Sequence, residues 1–227
     1  MKNLLAIITL FLSATFAQAQ ETQTRNVGSF NGVKVAEGID VYLKKGDKES
    51  VKVEATGVKL ENVITEVSGS YLKVHMRDGN YRGTVTVKVY VTYVQLEKLS
   101  ASSAGSIFSE TVIKANSLEV SCSSAGNVEI SVDAQTMSVS ASSAGEMELK
   151  GKTKSLTAEA SSAGEIDAYD LEAQDVEAEA SSGASIKVFV TEELDGHASS
   201  GGSVRYRGNP SKAITDSSSG GSVKKSN

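Results

Sequence analysis

The sequence predicts an all-β solenoid with coils of about 19 residues. Three observations lead there. A Ser-Ser-small-small motif recurs seven times, apolar and polar residues alternate on both sides of each copy, and the composition is skewed to small residues. The chain has 20 Gly, one Pro, no Trp and 5% aromatic residues among 227. Disordered chains share the aromatic deficit, but they are rich in Pro and poor in β-branched runs, whereas Val-rich runs fill this one. This length supports a core without disulfides or metals. The formal net charge of −5 argues against a nucleic-acid partner, which would call for a basic face.

In chain order, Met1 to Ala19 reads as a secretory signal peptide. One positive charge at Lys2 precedes an apolar run from Leu4 to Phe16, and Ala17-Gln18-Ala19 supplies the small-x-small cleavage site. The run is too short to span a bilayer, and no later segment is suited to do so. Lipid anchoring would need Cys just after the cleavage site, and the only Cys is Cys122. The expectation is an exported protein of the periplasm, cell surface or medium, not a lipoprotein. Residues 20–29 are expected to form an N-terminal arm, and 30–227 a single domain.

Within that domain, 30–99 is the less regular part. Alternation marks strands at Val33 to Val35, Ile39 to Lys44, Ser50 to Ala55, Val63 to Val67, Tyr71 to Met76 and Thr84 to Val94. Lys45-Gly46-Asp47, Ser68-Gly69-Ser70 and Asp78-Gly79-Asn80 are turn chemistry between them. This half is either a set of irregular coils or a compact β cap on the solenoid. No linker separates it from the second half.

The regular part, 100–225, is the repeat. Its copies begin at Ser102, Ser123, Ser142, Ser161, Ser181, Ser199 and Ser218, at intervals of 21, 19, 19, 20, 18 and 19 residues. Of 34 serines, 29 lie at Ser100 or later, so composition changes where the repeat begins. Glycine in each copy marks a turn that needs either positive φ or close backbone approach. Aligned copies stack Ala101, Cys122, Ala141, Ala160, Ala180 and Ala198 into an inward column of small residues. A second column holds Ile107, Val128, Met147, Ile166, Ile186, Val204 and Val223. So narrow a spine leaves no room for Trp. Cys122 then reads as a small buried hydrophobe rather than a reactive thiol, although no second Cys exists to pair with it.

The paired serines invite a nucleophilic reading, which needs an oriented base, and there is no Gly-x-Ser-x-Gly elbow. The only histidines are His75 and His197, and His197 takes the outward position that Ser121, Ser140, Glu159 and Glu179 fill in other copies. Hydroxyl ladders that satisfy the turns are the expected role of the serines. No catalytic residue is assigned, and the ligand-binding residues stay unspecified. Outward columns carry the charge: Glu129, Glu148 and Asp167, then Lys187, Arg205 and Lys224, with Glu146 and Glu165 alongside. Stacked acids repel unless solvated, ion-bound or offset, so Glu146, Glu148, Glu165 and Asp167 raise the question of a divalent cation. A solvated face is the expected answer, with no metal and no cofactor. Lys224 and Lys225 blunt the last sheet edge, and Pro210 enters the last coil after Gly208-Asn209.

Phe30-Asn31-Gly32-Val33-Lys34-Val35 and Gly38-Ile39-Asp40-Val41-Tyr42-Leu43, with Gly46-Asp47 following, resemble the opening of the auto-transporter adhesin "head GIN" family, a domain-of-unknown-function family of exported bacterial proteins. Gly38-Ile39-Asp40 stands where the name-giving Gly-Ile-Asn would sit. The Ser-Ser-Ala-Gly copies and Gly208-Asn209-Pro210 look like that family's second half, so the resemblance covers about residues 27–224. It implies a right-handed single-stranded parallel β-helix from a Gram-negative bacterium and brings no catalytic residues. No membrane-barrel translocator is visible in the chain.

The function expected is therefore a non-enzymatic adhesin or envelope-binding module, with a glycan or a cell-surface protein as partner. Two alternatives are a polysaccharide-acting β-helix enzyme and a self-associating envelope protein. Coil lengths that vary by only three residues leave no inserted loops to wall a catalytic groove, and the terminal lysines oppose open-ended fibres.

Overall fold

Strict alternation commits nearly every segment to strand, and the computed structural model, which describes residues 20–226, joins 17 strands into one sheet. The signal peptide expected over 1–19 lies outside the described residues. The first half gives β1 (Glu21–Arg25), β2 (Gly32–Val35), β3 (Asp40–Lys45), β4 (Ser50–Thr56), β5 (Val63–Ser68), β6 (Tyr71–Met76) and β7 (Thr86–Tyr93). The repeat gives β8 (Lys98–Ala101), β9 (Ser106–Ser109), β10 (Ile113–Cys122), β11 (Asn127–Ala141), β12 (Glu146–Ala160) and β13 (Glu165–Ala180). It closes with β14 (Ser185–Ala198), β15 (Ser203–Arg207), β16 (Lys212–Ser217) and β17 (Ser222–Lys225). One 3-10 turn, Leu60–Asn62, interrupts the strands.

The repeat stacks as a parallel β-helix, each coil directly over the last. Ala101 pairs with Cys122, Cys122 with Ala141, Ala141 with Ala160, Ala160 with Ala180 and Ala180 with Ala198. All six are buried, as is the Ile107-to-Val204 column beside them, so both ladders that the spacing implies lie in the core, joined there by further columns such as Leu118, Met137, Leu156, Val176 and Leu194. Val223, in the last coil, is only partly covered. Thr153 is the one buried polar side chain among the described residues, and its hydroxyl donates to the Ser155 carbonyl at 3.1 Å.

The first half turns out to be both of the things it could have been. β2 and β3 form a true coil: β2 pairs in parallel with β8, β3 with β9, and Ala36-Glu37-Gly38-Ile39 takes the place of the Ser-Ser motif. Glu37 and Gly38 have φ of 64° and 69°, matching the serine corners, and Gly38 N–H donates to the Ser103 carbonyl. The repeat therefore begins one coil earlier than its serines announce. β6 and β7 then stack outside β2 and β3, out of sequence order. On that outer edge the pairing becomes antiparallel, β4 against β7, β5 against β6 and β1 against β4. These strands cap the end of the solenoid. Arg25 pins β1 in place, donating to the carbonyls of Val63 and Leu60 and to Thr65 Oγ1 at 2.6–3.0 Å.

The corners settle why each motif reads as it does. In Ser161-Ser162-Ala163-Gly164 the left-handed conformation falls on Ser162 (φ 49°) and Ala163 (φ 61°), not on the glycine. Gly164 N–H closes the turn onto the Ser161 carbonyl, and Ala163 N–H reaches across to the Ser182 carbonyl of the next coil. Each corner with a coil beyond it repeats this bond, so the strain of two left-handed residues is offset by a hydrogen-bond ladder. Gly164 is needed for approach instead, since a Cβ there would lie 2.5 Å from the Ala141 carbonyl oxygen.

Candidate binding face

Parallel stacking in register turns each outward position into a ladder, with neighbouring strands about 4.8 Å apart. Just before the corners one ladder runs Ser140, Glu159, Glu179, His197 and Asp216. Two residues on, beyond the buried alanines, Ser142, Ser161, Ser181, Ser199 and Ser218 form a second. Between them lies a groove of 380 Å³ that runs along the stack. Its wall is carboxylate on one side and hydroxyl on the other. Among such groups the carboxylates accept hydrogen bonds and the serines both donate and accept, which suits a ligand with many hydroxyls. His197 sits in the acid row between Glu179 and Asp216, its Nε2 at 2.9 Å from Asp195 Oδ1. His75 is far along the stack in the cap strand β6, its Nδ1 at 2.8 Å from the Met76 carbonyl.

The second charged ladder is longer than its charges suggest. Tyr90, Tyr42 and Phe108 precede Glu129, Glu148, Asp167, Lys187, Arg205 and Lys224 in one register. Successive ring centroids are 5.2 Å apart and the rings nearly parallel, so the aromatics stack on one another and show their edges to solvent. Lys52 lies over the outer face of Tyr90. Extending the column one interval back from Glu129 lands on Phe108, which is the signal that could have found this stack.

Three of the four carboxylates considered for a cation, all but Glu146, are matched by lysines of the chain. Lys187 Nζ sits 2.9 Å from Glu165 and 3.0 Å from Asp167, and Lys150 Nζ sits 2.6 Å from Glu148. The two carboxylates hold the Lys187 ammonium above its ordinary pKa through these hydrogen bonds. Among the described residues no group of three or more His, Cys, Asp or Glu is arranged to hold a metal ion. Cys122 is buried with its Sγ 3.5 Å from the Glu146 carbonyl, and burial pushes its thiol up to about 11. No helix among the described residues is long and apolar enough to cross a membrane.

Fold and faces together define an elongated β-solenoid, capped at one end, that displays its chemistry as ladders along its length. The chain belongs to the family described as "Putative auto-transporter adhesin, head GIN domain", whose model matches residues 29–210. Gly38-Ile39-Asp40 of the family's opening is the first corner of the stack and the start of β3. The fold is shared with the crystal structure of a putative adhesin from Bacteroides fragilis, at a TM-score of 0.82 and 20% identity over 92% of this chain and 98% of that one. A putative lipid binding protein from Parabacteroides distasonis matches at 0.71 and 20% identity, covering 92% and 97% of the two chains. A putative adhesin from Parabacteroides merdae matches at 0.68 and 16%, covering 92% and 96%. No curated protein matches the sequence.

Proposed function

We propose that this chain is an exported, non-enzymatic adhesin-like module that holds an extended glycan in the groove between its acid and serine ladders. The observation that carries the reading is the register of those ladders. Carboxylate or imidazole and hydroxyl recur together in each of the last coils, giving a linear polymer equivalent contacts at a fixed repeat. Membership of a family described as adhesins supports it, as does the signal-like segment at 1–19. Cleavage of the leader, 1–19, would leave the arm 20–29, whose strand β1 pairs with β4, ahead of the domain 30–227.

The test is a glycan array followed by titration of the best ligand. Wild type should bind, and the double variant Glu159→Gln/Glu179→Gln should lose at least tenfold in affinity while its circular dichroism is unchanged. Absence of binding on the array together with no envelope fraction in pull-down would remove the reading. Protease accessibility on intact cells separates a surface position, expected for adhesion, from a periplasmic one.

A further inference from the structure

The open end of the solenoid reverses the charge of the coils behind it, where residues 100–202 hold 5 basic and 17 acidic side chains. Residues 203–226 hold five basic side chains and one acidic one, in a chain whose overall balance is acidic. Arg205, Arg207, Lys224 and Lys225 come from the adjacent strands β15 and β17 and are all exposed. Arg205 and Lys224 stand directly opposite one another, an arrangement that destabilises a sheet unless something neutralises it.

In the neighbouring strands β14 and β16 the chain supplies that neutralisation; here it does not. Lys187 takes Glu165 and Asp167, Lys212 takes Glu193, and Asp216 faces the groove on the other side of the coil. Among the described residues no ion pair involves Arg205, Arg207, Lys224 or Lys225. Arg207 rests over the Tyr169 ring at 4.0 Å, and Lys225 Nζ donates to Asn209 Oδ1 at 2.7 Å. Beside these two cations a shallow cleft is walled by Phe189, Thr191 and Gly208. Cationic rim and aromatic wall therefore meet at the end of a rod.

We infer that this end docks on the surface of an acidic lipid bilayer, with a phosphate headgroup seated between Arg207 and Lys225 and others against Arg205 and Lys224. A bilayer fits better than a soluble polyanion chain because the cations spread over the rod's end instead of lining a channel. The acidic coils behind this end are repelled by a negative plane, so the tip and not the flank of the repeat faces it. The proposal uses none of the groove residues and does not rest on the glycan reading.

The test is co-sedimentation of the purified chain, without residues 1–19, with vesicles. Binding to 30:70 phosphatidylglycerol:phosphatidylcholine at low salt is expected to exceed binding to pure phosphatidylcholine at least tenfold, and to vanish at high salt. Each cation near the surface is worth roughly fivefold in partitioning. Arg205→Gln/Arg207→Gln/Lys224→Gln/Lys225→Gln should therefore lower binding more than 50-fold. The groove variant Glu159→Gln/Glu179→Gln should bind vesicles as wild type does, which separates this proposal from the glycan reading. Equal binding to both vesicle types, no sedimentation with either, a quadruple variant that binds normally, or retention by an acidic polysaccharide without vesicle binding would each overturn it.

Discussion

Two adjacent residues of one corner should respond to substitution in opposite directions. In Gly164→Ala the new methyl would lie 2.5 Å from the Ala141 carbonyl oxygen, 2.6 Å from its carbon and 2.9 Å from the Ser142 nitrogen. All three are backbone atoms, so no side chain can swing aside. Reaching ordinary contact requires the corner to lift by about 0.8 Å, which stretches Ser161 N–H to Ala141 O and Glu165 N–H to Gly145 O, now 3.0 and 2.9 Å, out of bonding range. Two weakened bonds at ~0.5–1.5 kcal/mol each, with overpacking added, make about 2–4 kcal/mol. For a chain of this size that lowers Tm by roughly 5–15 °C. Ala163→Gly removes a Cβ from a left-handed residue, gaining ~1–2 kcal/mol, and gives back ~0.5–1 kcal/mol through the freer unfolded chain. It should be neutral or slightly stabilising. Urea titration followed by circular dichroism measures both. A Gly164→Ala protein within about 0.5 kcal/mol of wild type, or equal losses from both changes, would refute the stacking argument. Ala184 gives an internal comparison, since that corner already carries the methyl, buried, at the position of Gly164.

Other perturbations test other parts of the architecture. Arg25→Ala removes three hydrogen bonds between β1 and the β5 region, so amide exchange should speed up at 22–24 while β11–β14 stay protected; a uniform rise would mean that β1 is integral to the whole stack. Lys187→Gln leaves Glu165 and Asp167 facing each other without a cation, at a cost of about 1 kcal/mol that high salt should shrink. Because the folded pKa of Lys187 is raised, its contribution is full at neutral pH and is lost as pH rises through that raised value. A difference between the proteins that persisted undiminished at a pH where the Lys187 amine is neutral would contradict this. With its thiol pushed up to about 11, Cys122 should react with a thiol reagent at about pH 8 only after denaturant is added, and rapid labelling of the native protein would show the site to be open.

The inner columns were legible in the sequence because a parallel stack with near-constant coil length makes sequence alignment and spatial register the same operation. Ala101 to Ala198 and Ile107 to Val204 follow directly. The first corner escaped because its serines are replaced: Ala36-Glu37-Gly38-Ile39 keeps the backbone of the motif but neither serine, with Gly38 at the position of Ala104 and Ile39 at that of Gly105. The placement of β6 and β7 outside β2 and β3 could not be read at all. It depends on pairings between segments some forty residues apart, and local alternation carries no information about partners. The assignment of positive φ to serine and alanine is similarly hidden, because it is the inter-coil bond from Ala163 to Ser182, a property of stacking, that offsets the local strain. The outward acid columns were visible, but not that Lys187 from the following coil would bridge Asp167 of one and Glu165 of its neighbour.

The out-of-order cap has a consequence for how the molecule is made. Everything needed to seal one end, from β1 to β7, precedes the first regular coil in the chain. As a polypeptide emerges from its amino terminus, a closed template exists before any serine corner is synthesised, and each further coil has only one ready edge on which to form. Growth is thereby polarised, and the fold becomes a ratchet: each coil laid down disfavours backward slippage of the strand behind it. The same polarity makes whole coils the natural unit of gain and loss in evolution. A duplication of the segment from Ser142 to Ala160 would lengthen the rod by one coil and leave both the sealed end and the basic tip chemically intact.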